Sequence, residues 1–178
     1  AFIYRELGLD KEAMDSLQKL LAMNKNHEAG RILLAEMLAA RGSKDMAINE
    51  YKTVQKINPK NSSIYFPLGK LLMDNKDYEG ARKYLEIAVK YDPWSIEAHL
   101  LFGSVLKTLG RSGEAINAFQ TVLGINKDAF PAHYELGKIY LDNNMATKAI
   151  EEFNIAIMLE QQNASAYNLL GKALLKKL

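Results

Sequence analysis

Apolar and aromatic side chains recur along this chain at the three- and four-residue spacing of amphipathic helices. His133, Leu136, Gly137 and Tyr140 fall at i, i+3, i+4 and i+7, which places them on one face of a helix. Short turns rich in Gly, Asn, Asp and Ser separate such stretches. The pattern predicts no strand and eleven helices, near 1–7, 10–23, 28–41, 44–57, 63–75, 78–91, 96–109, 112–125, 130–143, 146–159 and 164–177.

The whole pattern repeats every 34 residues. Two columns of the repeat hold small residues, namely Ala13, Ala47, Ala81, Ala115 and Ala149 in one, and Ala35, Gly69, Gly103, Gly137 and Gly171 in the other. The repeat divides the chain into a partial unit at 1–27, full units at 28–61, 62–95, 96–129 and 130–163, and a partial unit at 164–178. We expect these units to form a single array.

The small residues have a physical reason. A glycine inside a helix costs about 1 kcal/mol relative to alanine. Two helices joined by a short turn must pack on each other, and their axes approach within about 8 to 10 Å only where the crossing residues are small. We therefore assign Gly137 and Ala149 to such a crossing. One helix pair cannot bury both of its faces, so each pair is expected to stack on the next.

These residues resemble the tetratricopeptide repeat family over the whole chain. The shared features are the period, the aromatic–x–x–Leu–Gly–x–x–Tyr/Leu run, the alanine, an aromatic residue four positions later, and a closing proline, as at Pro59. The resemblance implies an all-α fold, a right-handed α-solenoid of stacked antiparallel helix pairs with about five repeats. Arg31 departs from the family by replacing an aromatic residue, and Pro67 should delay or bend the start of its helix.

Composition narrows the function classes. Hydrophobic residues make up 48% and charged residues 25%, which is typical of a folded protein, and the net charge of +2 does not favour nucleic acid or an anionic membrane. No apolar run is long enough to insert into a membrane. The sequence has no cysteine and no phosphate-binding or hydrolase motif, so we expect no catalysis and no cofactor. The sequence does not name the compartment, although we lean towards the cytoplasm. Because the chain begins and ends inside repeats, we expect it to belong to a longer protein.

Three features carry alternative interpretations. His99 and His133 lie one period apart, so they either fill the aromatic position of the repeat, which we favour, or form a metal pair. Asn61 and Asn163 match a glycosylation sequon, but as residues before a helix they are better explained as N-caps. Trp94 follows a proline in a turn, where we expect it to pack on the next repeat instead of forming an exposed anchor.

The resemblance also implies a binding surface. In the family, positions 5, 9 and 12 of each repeat, on the first helix, line a concave groove that holds peptides. The alternative is that positions 5 and 12 only pack against the neighbouring first helix. The lysine and asparagine clamp that holds a terminal carboxylate in the best-known members is not matched here. The predicted groove residues are Ile32, Phe66, Lys70, Met73, Leu100, Ser104, Lys107, Tyr134, Lys138, Leu141 and Lys172.

We therefore predict a non-catalytic scaffold that binds a peptide segment of another protein, with apolar anchors and acidic residues between them. One alternative is the substrate-capture arm of a larger multidomain enzyme. Another is a structural protein that assembles by end-to-end self-association. The partner's identity is not encoded in the sequence.

Overall fold

The computed structural model describes residues 10–177, which contain ten α-helices and no strand. Each predicted helix in this range is found, with ends that differ by at most two residues from the prediction, and the helix predicted at 1–7 lies outside the described residues. The helices are α1 (Asp10–Met23), α2 (Glu28–Ala40), α3 (Lys44–Ile57), α4 (Tyr65–Asp74), α5 (Tyr78–Tyr91), α6 (Ile96–Thr108), α7 (Ser112–Ile125), α8 (Phe130–Asp142), α9 (Ala146–Leu159) and α10 (Ala164–Lys177).

The chain divides into two compact units at the boundary between Tyr84 and Leu85, inside α5. In the first unit α2 and α3 form a helix pair, α1 packs on α2, and α4 packs on α3. In the second unit α6 pairs with α7 and α8 with α9, while α7 also packs on α8 and α10 on α9. Within each unit, then, helix pairs stack as predicted; one continuous array across the chain stays a prediction.

The four turns between paired helices share one conformation. Gly42 has a φ of 80°; its backbone N–H donates to the Ala39 carbonyl at 2.9 Å, and that of Ser43 donates to the Leu38 carbonyl at 2.9 Å. This pattern of two bonds satisfies carbonyls at the end of the helix and requires positive φ at the second residue after the helix. The same position has φ values of 73° at Gly110, 62° at Lys76 and 58° at Asn144.

Lys76 occupies this left-handed position without being glycine. We expect Lys76→Gly to stabilise the protein by about 0.5 to 1 kcal/mol, because the relief of steric strain outweighs the greater flexibility of the unfolded chain. Urea unfolding followed by circular dichroism measures the change. The matched control Lys56→Gly, at an exposed position in the last turn of α3, should lower stability by about 0.5 to 1 kcal/mol. Equal signs for the two variants would contradict the strain argument.

Side chains just before the first helix of a repeat act as N-caps. Asn163 Oδ1 accepts a hydrogen bond from the Ala166 backbone N–H at 3.1 Å, and Asn61 Oδ1 accepts one from that of Ser63 at 3.3 Å. Both asparagines thus have the capping role that the sequence favoured. Asn61 precedes a 3-10 turn over Ser62–Ile64, and α4 begins only at Tyr65, so the delay expected from Pro67 is confirmed.

The residues of the two small-residue columns are buried in the core, except Gly171, which is half-buried. The alanines of the invariant column are fully buried, as are the rings of Phe119 and Phe153. A Cβ added to Gly137 would lie 2.6 Å from Phe153 Cε1, and one added to Gly103 would lie 2.8 Å from Phe119 Cζ. The close approach predicted for Gly137 is therefore real, and the group that requires it is the phenylalanine ring four residues after the alanine.

Candidate functional site

The predicted groove residues of the first unit lie on two helices. Phe66, Lys70 and Met73 lie on α4, and Ile32 lies on α2. Ile32, Phe66 and Met73 are half-buried and Lys70 is exposed. Their apolar side chains therefore contribute to packing and also keep part of their surface accessible.

The other seven predicted residues lie on three helices of the second unit, where α8 contacts both α6 and α10. We call the face that these residues define the α6–α8–α10 surface. It comprises Leu100, Ser104 and Lys107 on α6, Tyr134, Lys138 and Leu141 on α8, and Lys172 on α10.

Tyr134 is the aromatic member of this surface, and its ring is held by several neighbours. Its half-buried ring stacks on Phe130 with 5.5 Å between centroids and meets Phe153 edge-on at 6.3 Å. Lys138 Nζ lies 5.2 Å from the Tyr134 ring centroid, within range of a cation–π interaction. A ring fixed on several sides loses little conformational entropy on binding, so Tyr134 is suited to anchor a ligand.

Glu135 is a charged member of the surface that the sequence prediction missed. Its carboxylate accepts hydrogen bonds from Lys107 on α6 and, at 2.8 Å, from Lys138 Nζ on α8. Burial raises the pKa of Glu135, but the hydrogen bonds and charges of the two lysines outweigh it and hold that pKa below its ordinary value. The contribution of these ion pairs to folding stability is therefore present above the ordinary pKa of a carboxyl group. It is lost as the pH falls through the lowered pKa of Glu135.

The remaining members differ in what they offer a ligand. Leu141 is only 7% exposed, and Leu100 is half-buried against the core, so both mainly pack. Ser104 Oγ donates to the Leu100 carbonyl at 2.9 Å. Lys172 is exposed, and no residue within 10–177 forms a hydrogen bond or ion pair with it.

The side chain at position 4 of a repeat bonds to the turn that precedes the first helix of that repeat. His99 Nε2 lies 3.1 Å from the Pro93 carbonyl oxygen, and His133 Nε2 lies 2.9 Å from that of Lys127. Arg31 makes the same contact in its own repeat, where Nε donates to the Lys25 carbonyl at 2.8 Å. The hydroxyl of Tyr65 also donates to a carbonyl six residues earlier. The two histidines therefore fill the aromatic position, which is the interpretation that the sequence favoured.

Position 4 also contacts the residue nineteen positions later on the paired helix. Arg31 Nη1 donates to Glu50 at 2.5 Å, and His133 Nδ1 lies 2.6 Å from Glu152 Oε2. Arg31, which looked like a departure from the family pattern, thus replaces both contacts of a ring with a guanidinium group. Residues 10–177 contain no group of three or more side chains arranged to hold a metal ion.

The expectation for Trp94 is wrong. Its side chain is 77% exposed and does not pack on the next repeat. The nearby Tyr91, at the end of α5, is also exposed. The backbone N–H of Trp94 donates to Asp92 Oδ1 at 3.2 Å, so the turn is held by the aspartate, and the indole ring is not needed for it. Within the described range, no helix is both long enough and apolar enough to span a membrane.

Stacked helix pairs, a common turn and a repeated core define this chain as a helical repeat protein. Two family models described as tetratricopeptide repeat match residues 66–123 and 106–173. The chain belongs to the tetratricopeptide repeat family, as the residue pattern indicated.

Known proteins agree with this assignment. The crystal structure of MamA protein superposes with a TM-score of 0.81 and 29% identity, over 84% of this chain and 82% of that one, which confirms the predicted α-solenoid class. BBSome complex member BBS4 from Bos taurus is 25% identical over 92% of this chain. Anaphase-promoting complex subunit CDC16 from Saccharomyces cerevisiae is 27% identical over 81% of it. The chain spans only 34% of BBS4 and 18% of CDC16.

Proposed function

We propose that this chain is a non-catalytic protein–protein interaction scaffold that binds a segment of another protein on the α6–α8–α10 surface. The observation that carries the proposal is the Tyr134 ring, half-exposed on a surface lined by lysines and held by Phe130, Phe153 and Lys138. Relatives that are members or subunits of complexes, BBS4 and CDC16, support the general role.

The chemistry of the surface describes the ligand. Tyr134 and the exposed part of Leu100 offer apolar contact, and the surface carries more positive than negative charge. A helical or extended segment with spaced apolar anchors and acidic residues complements such a surface. In interfaces of this kind the buried anchors supply most of the affinity, and charged residues at the rim mainly set the association rate and its salt dependence.

Tyr134→Ala should weaken binding of a partner by at least about 1 kcal/mol, because it removes the fixed apolar anchor. A partner is first captured with this chain, its bound segment is mapped by truncation, and Kd is measured by isothermal titration calorimetry. Tyr91→Ala, which changes an exposed tyrosine off the surface, is the control and should leave Kd within about twofold. Phe66→Ala tests the predicted residues of the first unit.

Binding left unchanged by Tyr134→Ala contradicts the proposal; a loss in Phe66→Ala would then place the partner on the predicted residues of the first unit, and survival in both variants would place it elsewhere on the molecule. Circular dichroism of each variant separates a loss of the anchor from a loss of the fold.

A further inference from the structure

Charge is distributed unequally over the α6–α8–α10 surface. Lys107 and Lys138 share the Glu135 carboxylate, so both ammonium groups of the part formed by α6 and α8 already have an acidic partner, which cancels one of their two charges. Helix α10, with the sequence ASAYNLLGKALLKK, has no acidic residue. Lys172 lies on this helix, exposed, and among residues 10–177 it has no carboxylate partner. An exposed ammonium group without a carboxylate partner among residues 10–177 therefore lies on α10.

Resting on the function proposed above, we propose that an acidic side chain of the bound segment pairs with Lys172, whereas the part of the segment over Lys107 and Lys138 is neutral and apolar. The occupant is thus a segment with a defined polarity: an apolar part lies over α6 and α8, and an acidic part crosses α10. Glu135 sets this polarity because its carboxylate is already paired with Lys107 and Lys138.

Electrostatics favours this arrangement. A ligand carboxylate that approached Lys107 and Lys138 would meet the Glu135 carboxylate, and like charges at close range repel. No such opposing charge is present on α10 itself. Leu175, three residues after Lys172 on the same side of the helix, is 73% exposed and provides apolar contact beside the ammonium group. An acidic residue at this end of the segment can therefore form an ion pair without displacing one.

The geometry of neighbouring helices gives the spacing in the ligand. Packed helix axes lie about 8 to 10 Å apart. An extended chain advances about 3.3 Å per residue. In an extended ligand the acidic residue should therefore lie about three residues from the side chain that contacts Tyr134.

Synthetic peptides test the proposal without knowledge of the natural partner. The probes are acetylated and amidated peptides that share one leucine-containing segment, in which a single glutamate is moved stepwise along the chain, each paired with a glutamine version. The charged form should bind about two- to fivefold more tightly than the glutamine form at the position facing α10, which is the range of a partly exposed ion pair. Titration calorimetry measures both Kd values.

Variants assign the preference to one lysine. Lys172→Ala should make the Kd values of the glutamate and glutamine peptides equal. Lys138→Ala, at the equivalent position of the preceding repeat, should leave the difference between them unchanged. Glu135→Gln should produce a second preferred glutamate position, over α6 and α8, because Lys107 and Lys138 are then free. A purely structural Glu135 would instead weaken binding of the glutamate and glutamine peptides equally.

The outcomes separate this inference from the function on which it rests. Peptide binding that depends on Tyr134 but shows no glutamate preference, or a preference lost in Lys138→Ala and kept in Lys172→Ala, overturns the inference alone. Absence of binding by every peptide, or binding unchanged by Tyr134→Ala, counts against the proposed function itself.

Discussion

Phe153→Ala should lower the free energy of unfolding by about 3 to 5 kcal/mol. The ring is fully buried in the core of the second unit and lies directly against Gly137, whose missing side chain makes room for it. Alanine leaves a cavity beside a glycine, so the neighbouring backbone offers no side chain that can refill the space. The loss is measured from urea unfolding curves followed by circular dichroism.

Met158→Ala is the matched control, because Met158 lies on the same helix and is 76% exposed. It should change stability by no more than about 0.5 kcal/mol. A loss below about 1 kcal/mol for Phe153→Ala would show that the Gly137 contact is not as close as described. The Phe153 ring also packs edge-on against Tyr134, so this core substitution should loosen the proposed anchor as well.

The sequence predicted the helices accurately because their signal is repeated. A single amphipathic stretch leaves its ends uncertain, but aligned copies place the turn at the same residue in every unit. The turn at Lys76 illustrates this: lysine does not favour positive φ, yet the equivalent positions Gly42 and Gly110 indicate it. Pro67 was a local departure from the repeat, and its effect on α4 followed from proline geometry alone.

Contacts within the columns were harder to predict. The sequence showed that Gly137 had to be small but not that Phe153 was the group it accommodates, because several residues of the paired helix satisfy the same periodicity. Trp94 lies in a turn, where periodicity carries no information about burial, and the expectation there was wrong.

Glu135 shows why the charges of the site could not be predicted by position. Its column holds apolar residues or proline in the other repeats, so the column as a whole indicated no charge. Its spacing of three from Lys138 was a usable signal, since such pairs meet on a helix. Its contact with Lys107 joins two different helices and depends on how they pack. Which lysines are accessible therefore emerges only from the structure.

Ala115→Leu should cost about 1 to 3 kcal/mol through overpacking. Ala115 is fully buried on α7, and the same helix presents the Phe119 ring to Gly103. A larger side chain one turn before that ring has no free volume to enter, so it must push α6 and α7 apart or force side chains out of their preferred rotamers. Asn117→Leu introduces the same residue at an exposed position of α7 and should change stability by no more than about 0.5 kcal/mol.

Both variants introduce a leucine on α7, one at a buried position and the other at an exposed one. Equal urea midpoints would therefore mean that α6 and α7 tolerate separation, and that the alanine column is not required for close packing. A large loss confined to Ala115→Leu would instead show that the column sets the distance between paired helices. On α9, Ala149 is equally buried and the Phe153 ring one turn later packs edge-on against Tyr134, so the alanine column indirectly positions the proposed anchor.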